Sequence, residues 1–181
     1  NAADLAPDLH ELGTGGWVWS FHERGFLPTR NFQDGHFEGA DKISAQAVRS
    51  EIRVGMDSCY ACSVRCKKVV EVKEPPYLVD RIYGGPEYET LASMGSNCGV
   101  NDLKAIAKAN EICNAYGLDT ISAGVTVSFA MECFERGLLT EKDTDGLKLS
   151  FGNAPAMVQV VEMIARREGI GDLLAEGSLR A

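Results

Sequence analysis

The sequence has 181 residues, of which 45% are apolar and 24% charged, and its formal net charge is -8. These proportions predict one globular domain with its own core, and no apolar run is long enough to span a membrane. The acidic balance argues against non-specific binding to nucleic acid or to a membrane surface, because both need clustered cations. Six cysteines, without a signal-peptide-like start, favour a reducing, cytoplasmic compartment and metal ligation.

Helical periodicity predominates along the chain, and the first predicted elements are short. Residues 2–25 predict two helices that are interrupted by glycines, and a proline makes 27–32 a loop. A helix is expected from Ala45 to Arg53, with Ser44 as its N-cap. The β-branched residues within 67–72 indicate a short strand that leads away from a group of cysteines.

The second half of the chain predicts longer helices. A glycine turn feeds a helix that begins at Pro86. Gly117 and Asp119 are expected to end one helix and cap the next. The other expected elements are helices at 101–116, 120–136 and 154–168 and a short terminal turn at 172–176. The uncharged stretch from Thr120 to Met131 predicts burial on every side, which calls for more protein than this chain supplies. The predicted fold class is all-α, a single multihelical domain over residues 1–181.

Three cysteines in C-x2-C-x3-C spacing, Cys59, Cys62 and Cys66, point to an iron-sulfur cluster. A [4Fe-4S] cube takes one thiolate per iron, and closely spaced thiols reach three corners without long loops. Zinc is a less favoured alternative, because no second cysteine or histidine pair follows. A disulfide scaffold is less favoured still. Cys113 and Cys133 lie on helical stretches and are expected to be buried.

Two pairs of polar residues are further candidates. Glu87 and Glu89 fall in the first turn of a helix, where carboxylates commonly complement the helix dipole. They are two apart, so one can face solvent while the other faces a site. Asn110 and Asn114 share an apolar helix stripe, and buried amides need hydrogen-bond partners. A neighbouring loop or a polar heterocycle would satisfy them.

Four motifs in order resemble the tungsten-dependent aldehyde:ferredoxin oxidoreductase family. They are the cysteine triplet, YGGPEYET at 83–90, GSNCG at 95–99 and GLDTIS at 117–122, and ELGTG at 11–15 and LPTRNF at 27–32 are similar too. The resemblance implies the middle helical domain of a longer enzyme, without its N-terminal pterin-binding domain and its C-terminal domain. The first residue is Asn rather than Met, which agrees with a fragment.

The resemblance implies oxidation of aldehydes to carboxylic acids at tungsten, or molybdenum, held by two pterins. Electrons then leave through a [4Fe-4S] cluster to ferredoxin. Cys59, Cys62 and Cys66 match three cluster ligands, and the fourth lies downstream of Ala181. The resemblance allows a homo-oligomer of the full-length enzyme and leaves the aldehyde open. For the isolated chain it predicts no pterin binding and a labile cluster.

Further site residues also follow from the resemblance. Glu89 matches a proton-handling carboxylate near the metal, and Tyr88 would orient the substrate oxygen. The family's pterin motif, D-x-x-G-L-D/C-x, assigns four residues to the cofactor: Asn114, Gly117, Leu118 and Asp119. Asn114 departs from the acidic residue of the motif and cannot supply its charge, so Asp119 is the better candidate.

Two alternatives stay open. The chain could be a cluster-binding or interaction module without its own catalysis, or belong to a family member with a non-aldehyde substrate. Arg65, Lys67 and Lys68 beside the last cysteine could raise the cluster potential or attract acidic ferredoxin. A solvated run of charges is the favoured interpretation, because the chain has no wider basic patch.

Overall fold

The computed structural model describes residues 8–181, and the fold is mostly helical. The α-helices are α1 (Trp17–Glu23), α2 (Ala45–Ala47), α3 (Tyr88–Thr90), α4 (Leu103–Tyr116), α5 (Thr120–Glu135), α6 (Ala154–Arg166) and α7 (Ile170–Leu174). Helices α2 and α3 continue as π-helical turns, Val48–Ile52 and Leu91–Gly95. Single 3-10 turns lie at Thr14–Gly16, Ala40–Ile43, Arg81–Tyr83 and Ser96–Cys98. Residues 8–12 are also helical, and the predicted start of this helix at residue 2 lies outside the described range.

A small antiparallel sheet corrects the all-α prediction. Strand β1 (Arg53–Asp57) pairs with β2 (Lys67–Val70), and Met56 lies opposite Lys68. The connection between the strands, residues 58–66, carries the cysteine triplet. The strand at 67–70 was predicted, whereas its partner was not. The hairpin therefore carries the cysteine loop between its two strands.

Local capping sets the boundaries of the long helices. Asp102 caps α4 by accepting hydrogen bonds from the backbone of Lys104 and Ala105, at 3.0 and 3.1 Å. Gly117 ends α4 in the left-handed region, with φ 72°. The Ser44 hydroxyl accepts from Ala47 N at 3.2 Å, which confirms the predicted N-cap of α2. These short-range interactions satisfy backbone groups that helix ends leave without partners.

The core lies where α4, α5 and α6 meet the Leu91–Gly95 turn. Its largest fully buried side chains include Leu91, Met94, Ile106 and Met157. Helix α5 approaches the Leu91–Gly95 turn closely at Gly124, where a Cβ atom would lie 2.7 Å from the carbonyl carbon of Ser93. Glycine at this position therefore permits direct contact between the two backbones.

Helix α5 is buried on most of its circumference, but the prediction of burial on every side was wrong. Ile121 is 46% exposed, and Val125 and Phe129 on the same stripe are only partly buried. The residues at 121, 125 and 129 follow the four-residue spacing of one helix face. Across residues 8–181, the structure contains no helix that combines the length and the apolar character needed to cross a bilayer.

Candidate functional site

Three of the predicted site residues meet in one open cleft. Glu89, Asn114 and Asp119 line a cavity of about 400 Å³, together with Asn110. The cleft lies between the start of β2, the turn at 83–90, helix α4 and the N-terminus of α5. Its lining is rich in carboxylates and amides, so it can offer both hydrogen-bond acceptors and donors.

The Glu89 side chain is exposed in this cleft and lies between two anchored neighbours. Within residues 8–181, no hydrogen bond or ion pair engages its carboxylate. On one side, the Thr90 hydroxyl lies 2.8 Å from the Thr120 hydroxyl and ties α3 to the first residue of α5. On the other side, Glu87 is held by an ion pair with the buried Lys68. The backbone around Glu89 is therefore fixed while its carboxylate stays available.

The ion pair at Glu87 corrects the expectation that Lys68 belongs to a solvated run of charges. Lys68 is 1% exposed, and its Nζ lies 2.7 Å from Glu87 Oε2. The Thr14 hydroxyl donates to the same Glu87 oxygen and accepts from Tyr88 N at 2.9 Å. Lys67 is exposed, as expected. The inward-facing valine two residues after Lys68 was the sequence signal for its burial, because alternate residues of a strand share a face.

The two asparagines of α4 have different environments. Asn110 is 3% exposed, and its side-chain nitrogen is buried without a hydrogen-bond partner in the described part of the chain. Asn114 is exposed and donates to the main-chain oxygen of Asn110 at 2.9 Å. The predicted buried amide stripe is thus confirmed for Asn110 and wrong for Asn114. An unsatisfied buried donor is costly, and a bound acceptor would relieve that cost.

The other three residues of the predicted pterin motif contribute to the local fold. Gly117 supplies the left-handed turn that ends α4. Leu118 packs against the core and lines a separate crevice beside α6 and α7. Asp119 caps α5 by accepting from Ser122 N at 2.7 Å, as predicted. Hydrogen bonds from the side chain and backbone of Ser122 lower the pKa of Asp119.

The ring of Tyr88 does not line the cleft. It packs edge to face on Phe21, with ring centroids 5.2 Å apart. Burial, and then the nearby charge of Glu89, raises the pKa of the Tyr88 hydroxyl. The backbone of Tyr88 is nevertheless part of the network that holds Glu87, through its hydrogen bond to Thr14.

The cysteine loop is open to solvent. Cys59 is exposed, and Cys62 and Cys66 are half-buried. Ala61 and Arg65 adopt left-handed φ angles of 52° and 54°, which turn the chain between successive cysteines. Hydrogen bonds from the backbone of Arg65, which has the larger effect, and of Val64 lower the pKa of the Cys62 thiol. Such a loop favours the thiolate form, which is the form that ligates metal.

Within residues 8–181, no three His, Cys, Asp or Glu side chains converge closely enough to hold a single metal ion. A cubane cluster places each thiolate on a different iron, so its ligands need not converge on one point.

The other cysteines differ from this loop. Cys98 and Cys113 are fully buried, whereas Cys133 is partly buried. Burial raises the pKa of Cys98, and burial together with the charge of Asp119 raises the pKa of Cys113 to about 12. Burial also raises the pKa of Cys133. The prediction of a buried thiol is confirmed for Cys113, and Cys133 is only partly covered.

Fold and site together define a mostly helical domain with a cysteine-rich hairpin loop and a polar cleft. A family model described as "Aldehyde ferredoxin oxidoreductase, domains 2 & 3" matches residues 1–181. The chain therefore belongs to the aldehyde ferredoxin oxidoreductase family, which confirms the resemblance seen in its motifs.

Individual relatives agree with this membership. The chain is 41% identical over 173 residues to a tungsten-containing aldehyde ferredoxin oxidoreductase of Thermococcus kodakarensis, covering 95% of this chain and 28% of that protein. It is 35% identical over 177 residues to an "aliphatic sulfonate oxidoreductase, WOR-like subunit" of Pyrococcus furiosus, covering 96% of the chain and 28% of the relative. The chain thus spans little more than a quarter of the length of these relatives.

A solved structure shares the fold. The active site complex BamBC of benzoyl coenzyme A reductase, in complex with 1,5 dienoyl-CoA, superimposes with a TM-score of 0.66 at 23% sequence identity. The match covers 94% of this chain and 25% of that one. At this identity the likeness shows a common fold alone.

Proposed function

We propose that this chain is the middle, cluster- and pterin-contacting domain of a tungstopterin oxidoreductase that converts aldehydes to carboxylic acids. Membership of the family supports the proposal, as does the similarity to relatives named tungsten-containing aldehyde ferredoxin oxidoreductases. The chain covers 28% of such a relative, so other parts of the protein would complete the cofactor pocket. Ferredoxin would accept the electrons.

One observation carries the proposal most directly: the buried side-chain nitrogen of Asn110 lacks a partner beside the cleft. A heterocycle with acceptor atoms along its edge would satisfy this donor. Asn114 and Asp119 line the same cleft, and an amide can donate as well as accept. The residues present therefore fit a polar ring system such as a pterin.

The protein residues then take the following roles. When bound, the tungsten-pterin group supplies the two-electron redox chemistry at the substrate carbon. As aldehyde and water become carboxylic acid, two electrons and two protons are released, and Glu89 would accept one of these protons, because its carboxylate is free and its backbone is fixed. Tyr88 was expected to orient the substrate oxygen, but its ring packs on Phe21 outside the cleft, so we propose that it supports Glu89 through its backbone hydrogen bond to Thr14. Asn110 and Asn114 bind the pterin edge, and Gly117, Leu118 and Asp119 shape the backbone beside it.

Cys59, Cys62 and Cys66 are proposed to hold three irons of a [4Fe-4S] cluster, with a fourth ligand from outside this chain. Electrons would leave through this cluster to ferredoxin. A homo-oligomeric enzyme and a cytoplasmic location stay predictions, and molybdenum remains the alternative to tungsten.

Metal content tests the cofactor assignment. The full-length protein that contains this chain, purified without oxygen, should hold iron, acid-labile sulfide and tungsten, with a cluster signal in electron paramagnetic resonance. Serine at Cys59, Cys62 or Cys66 should lower iron and sulfide, whereas Cys133→Ser should leave both unchanged. Zinc in place of iron would overturn the cluster assignment.

Turnover tests the role of Glu89. Glu89→Gln should lower aldehyde oxidation by a factor of about 10² to 10⁴, the range for a lost general acid or base, with metal content intact. Glu162→Gln, which changes an exposed carboxylate of α6, is the matched control. Equal turnover of Glu89→Gln and the wild type would remove Glu89 from the mechanism.

The second relative favours one alternative substrate class. Its name describes an aliphatic sulfonate oxidoreductase, and it is 35% identical to this chain. An enzyme active on sulfonates but inactive on every aldehyde tested would transfer the proposal to that class, while leaving the cluster and pterin assignments in place.

A further inference from the structure

We propose that Lys68 is a positioning residue that joins the cysteine hairpin to the turn carrying Glu89. Through it, the cluster ligands and the active-site carboxylate would keep a fixed relation to each other. The inference rests on the proposed function, which gives Cys66 and Glu89 their roles. The ion pair and the packing contacts of Lys68 are features of the fold and do not depend on the proposed function.

The burial of Lys68 is the first observation. A lysine is rarely buried without a partner, because removing its charge from water is costly. Lys68 is 1% exposed and lies 2.7 Å from Glu87 Oε2, whose side chain is 38% exposed. The ammonium therefore reaches from the inward face of β2 to the residue that precedes α3. This ion pair joins strand β2 to the turn before α3, although the two residues are 19 positions apart in the sequence.

The second observation is that glycines of two motifs close over Lys68. A Cβ atom at Gly13, where φ is +65°, would overlap Lys68 Nζ and lie 3.0 Å from the carbonyl oxygen of Cys66. A Cβ atom at Gly85 would lie 3.1 Å from Lys68 Cβ and 2.7 Å from Val70 Cγ1. Side chains at these glycines would displace the lysine. One glycine of the ELGTG motif and one of the YGGPEYET motif thus leave the space that Lys68 occupies.

The third observation is the path from Lys68 to Glu89. Glu87 accepts from Lys68 and from the Thr14 hydroxyl, and Thr14 in turn accepts from Tyr88 N. The main-chain oxygen of Glu87 accepts from Leu91 N at 2.9 Å and starts the helix. The carboxylate and the main-chain oxygen of Glu87 and the backbone nitrogen of Tyr88, which all precede Glu89, are thereby held by hydrogen bonds. Cys66 lies two residues before Lys68, and Glu89 lies two residues after Glu87. The ion pair is therefore close in sequence to both the third cysteine and the active-site carboxylate.

Kinetics of the full-length enzyme provide the test. Lys68→Met keeps the apolar stem and removes the charge, and it should lower kcat by about tenfold or more while KM changes less than about twofold. Iron and tungsten content should match the wild type. Glu87→Gln should have a similar effect, and the double variant should be no slower than the slower single variant, because both disrupt one unit. Lys73→Met, an 80% exposed lysine paired with Glu71, is the matched control.

Each outcome decides the inference. Wild-type kcat in metal-loaded Lys68→Met would overturn it, and so would a loss of activity that only parallels the loss of metal-loaded protein. If Lys68→Met does not fold, Glu87→Gln decides, since it removes the charge that pairs with Lys68 and keeps a side chain of the same length. A severalfold fall in kcat with unchanged KM is expected, and unchanged kcat would overturn the inference. Failure of the proposed function would instead appear in the wild type, as absent metal or absent aldehyde turnover.

Discussion

Lys68 and Glu87 form an ion pair whose two members differ in burial: the lysine side chain is 1% exposed, and the glutamate side chain is 38% exposed. The lysine therefore needs its partner to compensate its charge more than the glutamate does. Without its partner, the glutamate can still reach water, whereas the lysine cannot. This inequality predicts different costs for removing either residue.

Glu87→Ala should be the more destabilising change. It leaves the Lys68 ammonium buried without a counter-charge and the Thr14 hydroxyl without its acceptor, and breaking a buried pair in this way costs about 3–5 kcal/mol. Lys68→Met should cost only about 1–2 kcal/mol, because the remaining carboxylate is partly solvated. Urea unfolding followed by circular dichroism measures both. A larger loss for Lys68→Met than for Glu87→Ala would contradict the described burial.

Two buried asparagines should respond in opposite directions to replacement by leucine. Asn110 has an unpartnered side-chain nitrogen, so Asn110→Leu should stabilise the cofactor-free protein by about 1–3 kcal/mol. In the full-length enzyme, the same change should lower pterin content. Both effects follow if the donor is kept for a ligand.

Asn97→Leu is the matched comparison. The Asn97 amide donates to Ser128 Oγ at 2.8 Å and accepts from Phe32 N at 3.0 Å, so both of its ends are satisfied. Its loss should destabilise the protein by about 1–3 kcal/mol. Thermal unfolding of the two cofactor-free variants, together with pterin analysis of the loaded enzyme, gives the answer. Equal destabilisation by both substitutions would show that the Asn110 side chain already has a partner in the cofactor-free protein.

The parts of the fold that short-range rules determine were predictable. Ser44 and Asp119 are residues with oxygen-bearing side chains that readily accept from a helix N-terminus, and Gly117 readily adopts the left-handed conformation at a helix end. Each of these interactions joins atoms within a few residues of each other. The boundaries of α4, α5 and α6 accordingly lie close to those predicted.

The parts that depend on distant partners were not predictable in the same way. Strand β1 contains Gly55 and Asp57, which disfavour strands, and it forms because β2 pairs with it. The burial of Lys68 depends on backbone contributed by Gly13 and Gly85. Asn114 lies on the stripe of Asn110, but residues 114–117 at the end of α4 are exposed, so periodicity alone misplaced it.

The close approach of α5 to the Leu91–Gly95 turn predicts a steric effect at Gly124. Gly124→Ala would place a Cβ atom 2.7 Å from Ser93 and should destabilise the protein by about 1–3 kcal/mol, because the packed backbones must separate. Gly16→Ala is the control, since its new Cβ atom would meet Leu12 at an ordinary 3.6 Å and φ there is -56°. Differential scanning calorimetry should show a lower Tm for Gly124→Ala alone. Equal Tm values would mean that the backbone near Ser93 can shift to accept the new methyl group without a loss of stability.

Asp119 should contribute to stability in a pH-dependent manner. Hydrogen bonds from Ser122 lower the pKa of Asp119 in the folded state below its ordinary value of 3.8. A carboxyl group with a lowered pKa stabilises the fold fully above its unfolded-state pKa, and this stability is lost as pH falls through the folded-state pKa. Near neutral pH, Asp119→Ala should cost about 1 kcal/mol through loss of the N-cap.

The difference between wild type and Asp119→Ala should therefore shrink below about pH 4, where the carboxylate becomes protonated. Asp119→Asn separates capping from titration, because its amide oxygen still accepts from Ser122 N and carries no titratable charge. The free energy of unfolding, measured in urea from neutral to acid pH, should show a constant gap between Asp119→Asn and Asp119→Ala. A gap between wild type and Asp119→Ala that widens in acid would show that the carboxylate is not the group that caps α5.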